Sequence, residues 1–414
     1  MASAVPTFVF SKKKEMLSYE HFKSNTLHIS FFGCRNAGKS SVVNAVTGQE
    51  LSIVSDIKGT TTDPVTKSME LLPLGPIVII DTPGIDDVGK LFELRVKRTK
   101  RILNKTDIAV LVVDATAGPT TADQELITLF REKELPYLIV YNKSDLISPI
   151  PDAGEHEIWV SALKKTNIQE LKERLGHLIQ TDTMTKKLVG HLLKPLDTVI
   201  LVCPIDESAP KGRLILPQQQ AIRDVLEAGA IAVVVREHEL AAALDQLGNK
   251  AAMVITDSQA FSMVGKITPD SIPLTSFSIL MANYKGFLKT AVAGVSALKN
   301  LQDGDTVLIA EGCTHHRQCN DIGTVKLPNW LQQYTGKSLN FQFCSGTEFP
   351  ENLAPYSMVI HCGGCMLNHR EIQYRMRTAT DQSIPFTNYG TIIALITGTL
   401  ARSLCIFPEI HEML

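Results

Sequence analysis

The sequence predicts an α/β protein that contains parallel sheets in several domains. Short β-rich runs alternate with longer amphipathic runs along most of the chain. The strand candidates end in glycine or polar residues, as expected where a parallel sheet binds ligands at the carboxyl ends of its strands. The 414 residues exceed one ordinary core, and domains usually hold about 100–200 residues. We therefore expect three domains.

The composition indicates a folded cytoplasmic protein. Hydrophobic residues make up 44% of the chain and charged residues 20%, as in soluble globular proteins. A formal net charge of -2 gives no general attraction to phosphate backbones, so no nucleic-acid partner is expected. Eight cysteines are too few for a secreted disulfide scaffold. The apolar runs fall short of the roughly 20 residues that cross a bilayer, so no membrane partner is expected.

The first predicted domain spans residues 26–182 and follows an N-terminal tail, 1–25. Its strand candidates are "LHISFFG", "IVIIDTPG", "IAVLVVDA", "PYLIVYNKSD" and "EIWVSAL". Helical runs separate these strands, which predicts one parallel sheet with helices on both faces.

Two further α/β blocks follow, predicted as domains 183–268 and 269–414. The strands of the first are "DTVILVCPID", "AIAVVV" and "AAMVIT", and "ITPDSIP" (267–273) has the composition of a linker. The second opens with a helix near 282–300, continues with strands "DTVLIAEG", "SLNFQFCSG" and "YSMVIHCGG", and ends with helices near 366–380 and 390–404. No internal repeat is evident.

The segment "GCRNAGKS" has the spacing of a phosphate-binding loop. It follows the strand "HISFF" and opens a helix, which is the context that this motif requires. Backbone N–H groups can surround phosphate oxygens, while Lys39 neutralises the outer phosphates and Ser40 ligates Mg2+. The predicted contacts from this segment are Gly33, Asn36, Ala37, Gly38, Lys39, Ser40 and Ser41.

Three later motifs complete a guanine-nucleotide site. "DTPG" places Asp81 to hold Mg2+ and Gly84 to contact the outermost phosphate. "NKSD" supplies Asn142, Lys143 and Asp145, and the Asp145 carboxylate can accept N1–H and N2–H of guanine, which adenine does not offer. Backbone contacts to the base are expected at Ser161 and Ala162, in "VSAL".

Between these motifs, "KGTTTD" predicts a loop in which Thr61 binds Mg2+ and the outer phosphate. "NAGKS" and "GTTTD" resemble the TrmE-Era class of GTPases, whose usual second motif is "GTTRD". The position after Gly84, where Ras-type enzymes have a glutamine, is Ile85, which cannot orient water. Relatives without that glutamine often use K+ held by the residue corresponding to Asn36. We therefore expect slow, potassium-stimulated GTP hydrolysis, with Lys39, Asn36, Thr61 and Gly84 as catalytic residues.

A second group of chemically distinctive residues lies in the third domain. Cys313 and His315 follow the strand "TVLIA", and His361, Cys362 and Cys365 follow "YSMVI". Neighbouring parallel strands would bring both segments together as a metal site. The residue types allow a closed zinc site, an iron–sulfur cluster with three thiolates, or a redox dithiol formed by the last two cysteines.

The remaining cysteines carry weaker expectations. Cys203 and Cys405 are interpreted as core residues. Cys319 and Cys344 are ambiguous because either could lie near the metal site without binding metal. The segment "FTNYG" (386–390) is expected to open the last helix and to line the same pocket.

A GTPase domain joined to Cys-x-His and His-Cys-x-x-Cys resembles the HydF family, the scaffold proteins of FeFe-hydrogenase maturation. The resemblance implies a 4Fe-4S cluster on Cys313, Cys362 and Cys365, with His315 and His361 as candidates for the fourth ligand or for hydrogen bonds to the cluster. It also implies receipt of a di-iron precursor from the radical-SAM maturases HydE and HydG, delivery to apo FeFe-hydrogenase, and a homodimer formed by the middle domain.

Two other functions fit the residues. One is a zinc-containing GTPase acting in RNA modification or ribosome assembly, although no basic stripe with aromatics is present. The other is a GTP-regulated thiol oxidoreductase using Cys362 and Cys365.

Overall fold

The computed structural model shows two compact units, residues 1–180 and 181–414. The structure describes residues 26–48, 65–71, 75–84, 99–178, 186–205, 214–312, 321–346 and 348–414. Predicted site residues Thr61, Cys313 and His315 lie outside these ranges, as do Ile85 and Cys319.

Unit 1 contains a six-stranded sheet in the order β2-β3-β1-β4-β5-β6. All neighbours are parallel except β2, an unpredicted edge strand that runs antiparallel to β3. The strands are β1 Leu27–Phe32, β2 Val65–Leu71, β3 Gly75–Asp81, β4 Ile108–Asp114, β5 Tyr137–Asn142 and β6 Glu157–Trp159. The described helices with both ends defined are α1 Lys39–Thr47, α2 Thr121–Glu132 and α3 Ile168–His177, and residues 99–104 are also helical.

Helices cover both faces of this sheet because its central strands are apolar on both sides. In β4, residues 108–113 are all buried, the pattern of a strand inside a parallel sheet. One core lies on the side of α1 and α3 and includes Phe31 and Val110. The other includes Phe32 and Phe130, whose ring centroids are 5.4 Å apart. This arrangement is the P-loop GTPase fold that the sequence predicts.

Unit 2 contains two four-stranded sheets in which every pairing is parallel. The first has the order β8-β7-β9-β10 and the second β12-β11-β13-β14. The strands are β7 Thr198–Val202, β8 Ile231–Val235, β9 Met253–Thr256, β10 Leu274–Ser276, β11 Thr306–Ala310, β12 Asn340–Cys344, β13 Met358–His361 and β14 Phe386–Asn388. The helices are α4 Leu216–Glu227, α5 Leu240–Gln246, α6 Phe261–Ile267, α7 Phe277–Tyr284, α8 Leu288–Val295, α9 Leu327–Thr335, α10 His369–Asp381, α11 Tyr389–Ile396, α12 Leu400–Leu404 and α13 Pro408–His411.

The two sheets are copies of one topology. In each, the first strand of the block pairs with the second and third, and the fourth pairs with the third. The registers also correspond, since Val199 pairs with Met253 in the first sheet and Val307 with Met358 in the second. The expectation of no internal repeat was therefore wrong.

The copies exchange their terminal helices. Thr275 Oγ1 in β10 donates a 3.0 Å hydrogen bond to the Ser403 carbonyl in α12. Thr387 Oγ1 in β14 donates a 2.8 Å bond to the Ala291 carbonyl in α8. Each copy's last described strand thus contacts a helix that follows the other copy's strands.

The exchange produces one continuous apolar core, which extends from Leu188 to Phe407. The predicted linker 267–273 is not a free connection, because Arg402 donates to the carbonyls of Thr268, Pro269 and Ile272 at 2.6–3.3 Å. The boundary between the second and third predicted domains remains a prediction.

Other elements differ from prediction at particular residues. The helix expected near 282–300 is divided into α7 and α8 at Gly286. Gly286 has a φ of 73°, a left-handed conformation that commonly ends a helix and that glycine adopts without strain. The segment 386–388 forms strand β14 before α11 begins. Among the described residues, none of the helices combines the length and apolarity that crossing a bilayer requires.

Candidate functional site

The phosphate loop connects β1 to α1 and depends on two glycines. At Gly33, φ is 143° and an added Cβ would lie 2.2 Å from the Val112 carbonyl oxygen. At Gly38, φ is 82°. Side chains are strained at such angles, and the backbone at Gly33 passes against β4, so no larger residue fits there. Asn36 also adopts a left-handed conformation, with φ of 65°, and its side chain is exposed.

Two of the predicted magnesium ligands, Ser40 and Asp81, are described, and they lie together where α1 begins beside the end of β3. Ser40 Oγ donates a 2.8 Å hydrogen bond to Asp81 Oδ2 at the end of β3. Lys39 Nζ lies 3.6 Å from Asp81 Oδ1. The next residue, Thr82, donates through Oγ1 to the Phe31 carbonyl at 2.7 Å, which fixes the end of β3 against β1. A hydroxyl and a carboxylate in contact form a donor set that suits Mg2+.

The base-binding loops meet at Asn142. Its Nδ2 donates to the Ala37 carbonyl and its Oδ1 accepts from the Ala162 amide, both at 3.0 Å. Lys143, in a left-handed conformation, forms an ion pair with Asp114. Asn142 therefore connects the phosphate loop to "VSAL", a role that the sequence did not indicate.

The Asp145 carboxylate remains ready to accept hydrogen bonds as an anion. A hydrogen bond from Ser161 lowers the pKa of Asp145, and the charge of Lys164, 3.9 Å away, contributes less. An ionised carboxylate offers only acceptors, which is what N1–H and N2–H of guanine require.

The base-binding residues and one side of α1 surround a cavity of about 650 Å3. This volume is within the usual range for ligand sites. It is lined by Gly38, Ser41, Asn44, Ala45, Gly48, Asn142, Lys143, Asp145, Leu146, Ser161, Ala162, Leu163 and Lys165. The cavity thus brings together residues from the first and last nucleotide motifs.

The thiol site lies at the carboxyl ends of β11 and β13. These strands are neighbours, with Ala310 beside His361. Cys362 Sγ accepts hydrogen bonds from the amides of Gly312 at 3.1 Å and Gly364 at 3.4 Å. Gly312 is the last described residue before position 313.

Both described thiols are half-buried. Burial is the main reason that the pKa of Cys365 rises to about 12, and the Cys362 thiol adds to the rise. Burial also raises the pKa of Cys362, while two amide hydrogen bonds and the Arg375 charge oppose this. A metal bound here would have to displace protons from the thiols, and amide donors of this kind stabilise the thiolate once it forms.

His361 and Arg375 lie behind the thiols, and Arg375 was not predicted. His361 Nδ1 bonds the Cys362 carbonyl at 2.7 Å, and its Nε2 lies 3.1 Å from Arg375 Nη1. Burial, followed by the Arg375 charge, lowers the pKa of His361 to about 3. The imidazole is neutral at physiological pH.

The segment 386–390 lies beside the thiol site as expected. Asn388 pairs in register with His361 and caps α11 by accepting from the Thr391 amide. Tyr389 donates its hydroxyl hydrogen to Glu311 at 3.2 Å, and burial first, then the Glu311 charge, keeps the pKa of Tyr389 well above its usual value.

The other described cysteines differ in burial. Cys203 belongs to the core as expected. Cys405 was also expected in the core, but it is exposed, directly after the end of α12. Cys344 is partly buried at the end of β12. Within the described ranges, no group of three or more histidine, cysteine or acidic side chains is arranged to hold a metal ion.

Three family models match the chain. Residues 28–143 match the 50S ribosome-binding GTPase model, 188–286 the hydrogen maturase F dimerization domain and 289–406 the hydrogen maturase F tetramerization domain.

The tRNA modification GTPase MnmE of a Synechococcus species is 36% identical over 156 residues, which cover 36% of this chain and 33% of MnmE. GTPase Der of Maridesulfovibrio salexigens is 40% identical over 134 residues, covering 31% of this chain and 29% of Der.

A solved structure, Era of Aquifex aeolicus bound to GDP.AlF4-, is 22% identical, with a TM-score of 0.33 and coverage of 54% of this chain and 98% of that chain. The chain spans about a third of the length of the curated relatives it matches.

The fold and motifs of unit 1 define a P-loop GTPase domain. Unit 2 is matched along most of its length by the two maturase models. The chain belongs to the hydrogen maturase F family.

Proposed function

We propose that this chain is a GTP-hydrolysing scaffold that holds a 4Fe-4S cluster and delivers a di-iron subcluster precursor to apo FeFe-hydrogenase. The observation that carries the proposal is the 3.1 Å hydrogen bond from the Gly312 amide to Cys362 Sγ. It brings Gly312, the residue that precedes Cys313 in the sequence, to the turn 362–365, and a cluster on three cysteines would need Cys313 at the same turn. The radical-SAM maturases HydE and HydG are the proposed donors of the precursor.

Unit 1 would bind GTP through its four motifs. Lys39 and the loop amides hold the outer phosphates, Gly84 contacts the terminal one, and Asp145 selects guanine. Ser40, Asp81 and Thr61 would hold Mg2+, which neutralises phosphate charge. Asn36 is the proposed K+ ligand.

Unit 2 would hold the cluster through Cys313, Cys362 and Cys365. The amides of Gly312 and Gly364 would stabilise the Cys362 thiolate. When bound, such a cluster supplies one iron with an exchangeable ligand. His315 and His361 are the candidates for a ligand or a hydrogen-bonding residue at that iron.

A homodimer through the edge strand β8 fits the apolar surface of unit 2. Ile231 is 47% exposed and Val234 is 44% exposed, and β8 pairs with only β7 among the described strands. An apolar edge strand is a site for pairing with another chain. The match of residues 188–286 to a dimerization domain supports a second copy as that partner.

Anaerobic reconstitution with iron and sulfide tests the cluster. The wild-type chain should bind close to four irons and absorb visible light, and Cys313→Ser, Cys362→Ser and Cys365→Ser should each lose the absorption. Cys405→Ser, an exposed cysteine outside the site, is the control and should keep it. Colourless protein that retains one tight zinc would favour the zinc-containing alternative in RNA modification. Colourless protein with a reversible Cys362–Cys365 disulfide that Cys313→Ser leaves unchanged would favour the oxidoreductase.

GTP turnover in potassium and sodium buffers tests the nucleotide half separately. Potassium should increase turnover of the wild-type chain, and Asn36→Ala should remove the difference between the two salts. Lys39→Ala should abolish turnover in both. Equal wild-type rates in the two buffers would rule out the role of K+ while leaving GTP hydrolysis in place.

A further inference from the structure

Arg375 is a fully buried arginine that connects three segments behind the thiol site. Its Nε donates to Glu371 Oε1 at 2.9 Å, its Nη2 to the Gly346 carbonyl, and its Nη1 to His361 Nε2 at 3.1 Å. The guanidinium also lies over the Phe349 ring, 5.3 Å from its centroid. A buried cation is costly unless it is paired and hydrogen-bonded, and Glu371 alone would satisfy the charge from the same helix. The two remaining hydrogen bonds, to Gly346 and His361, therefore need an explanation.

Arg375 determines which nitrogen of His361 carries the proton. Arginine can only donate hydrogen bonds, so His361 Nε2 must accept and be unprotonated. The proton then lies on Nδ1, which donates to the Cys362 carbonyl at 2.7 Å. Both ring nitrogens are occupied, one by Arg375 and the other by the first residue of the turn 362–365.

The first sheet of unit 2 shows that the fold does not need this network. Ser276 in β10 corresponds by register to Asn388 in β14, and it pairs with Thr256 where Asn388 pairs with His361. The residue after Thr256 is Asp257, where the second sheet has Cys362. The same topology thus forms without a histidine or a thiol at this strand end, so the network belongs to the thiol site.

We propose that Arg375 is a positioning residue that keeps His361 in its neutral Nδ1–H form as a support for the Cys362–Cys365 turn, so that His361 is not an iron ligand. The statement that His361 is not an iron ligand rests on the proposed function. The assignment of the His361 tautomer does not, because it follows from the two hydrogen bonds of the ring. By occupying Nε2, Arg375 leaves the fourth cluster position to a ligand other than His361.

The first test measures the tautomer in the metal-free, full-length chain by 15N NMR with labelled histidine. The signal that disappears in His361→Gln should show an unprotonated Nε2 in the wild-type chain. Arg375→Met should change that signal, and Arg375→Lys should also change it because one amine cannot make all three contacts. Arg377→Met is the matched control, since Arg377 is exposed on the same helix, and it should leave the signal unchanged. A wild-type His361 protonated on Nε2 would overturn the proposal.

The second test measures nitrogen couplings to the reduced cluster by pulsed EPR. His361→Gln should leave the wild-type couplings unchanged, whereas the double variant Glu371→Gln/Arg375→Met should gain a histidine coupling that a third change, His361→Gln, removes. The double variant avoids leaving Glu371 buried without its partner. A wild-type histidine coupling lost in His361→Gln would overturn the proposal. Absence of iron in every form, with the predicted tautomer present, would instead refute the proposed cluster while the role of Arg375 in fixing His361 stands.

Discussion

Asn142 contacts both ends of the nucleotide site: its side chain bonds the Ala37 carbonyl and the Ala162 amide, each at 3.0 Å. A Cβ on Gly38 would lie 2.2 Å from Asn142 Nδ2, so the phosphate loop accommodates this amide only because residue 38 is glycine. One buried side chain therefore sets the spacing between the phosphate loop and the base-binding loop.

Replacing Asn142 with Ala should destabilise unit 1 by about 2–3 kcal/mol, because two backbone groups lose their partner. Urea unfolding would be followed by the fluorescence of Trp159 in a Trp330→Phe background, which isolates unit 1. Gln169→Ala, on the exposed side of α3, should change stability by less than about 0.5 kcal/mol. Equal stability of the two variants would contradict the role of Asn142.

Asp145→Asn should weaken GTP binding by about 10- to 100-fold, since one charge-assisted acceptor is worth about 1.5–3 kcal/mol. Xanthosine triphosphate should gain affinity, because the amide can donate to the extra carbonyl of xanthine. Competition against a fluorescent nucleotide measures both. Lys164→Ala serves as the control, since its exposed amine lies 3.9 Å from Asp145 and should contribute little. Retained guanine preference in Asp145→Asn would exclude Asp145 as the base-selecting residue.

Arg402→Ala should lower the stability of unit 2 by about 2–4 kcal/mol, because several backbone carbonyls lose a shared donor. Arg402 bonds the carbonyls of Gly265, Thr268, Pro269 and Ile272. Trp330 fluorescence in a Trp159→Phe background follows unit 2 alone. Arg223→Ala removes an exposed i,i+4 ion pair and should cost less than about 0.5 kcal/mol. A small effect at Arg402 would show that 267–273 behaves as the linker first expected.

Alkylation at pH 8 should modify Cys405 long before Cys203 in the native, metal-free chain. Burial, with a smaller effect from the charge of Asp257, raises the pKa of Cys203 to about 12, so its thiolate fraction at pH 8 is on the order of 1 in 10,000. Peptide mass spectrometry reports the two sites separately, and the same reaction in denaturant should label both. Early native labelling of Cys203 would contradict its place in the core.

The nucleotide site was largely predictable because its motifs are local in sequence and each follows a buried strand. The contacts of Asn142 were not, since the 105 positions between it and Ala37 are brought together only by the sheet. Arg375 escaped prediction for a similar reason: an arginine in a helix normally faces water, and nothing near it in the sequence identifies His361 as its partner. The repeat was hidden because strands of three to five residues share too few letters, whereas their registers are unambiguous.

The reciprocal contacts from Thr275 to Ser403 and from Thr387 to Ala291 have the form of a domain-swapped dimer joined into one polypeptide. A gene duplication that fused two such subunits would produce this arrangement directly. Afterwards the halves could diverge, one keeping an apolar edge for association and the other acquiring sulfur donors. Neither half could then be excised or transplanted intact, because each would leave behind, in the other half, the helix that packs on its own sheet.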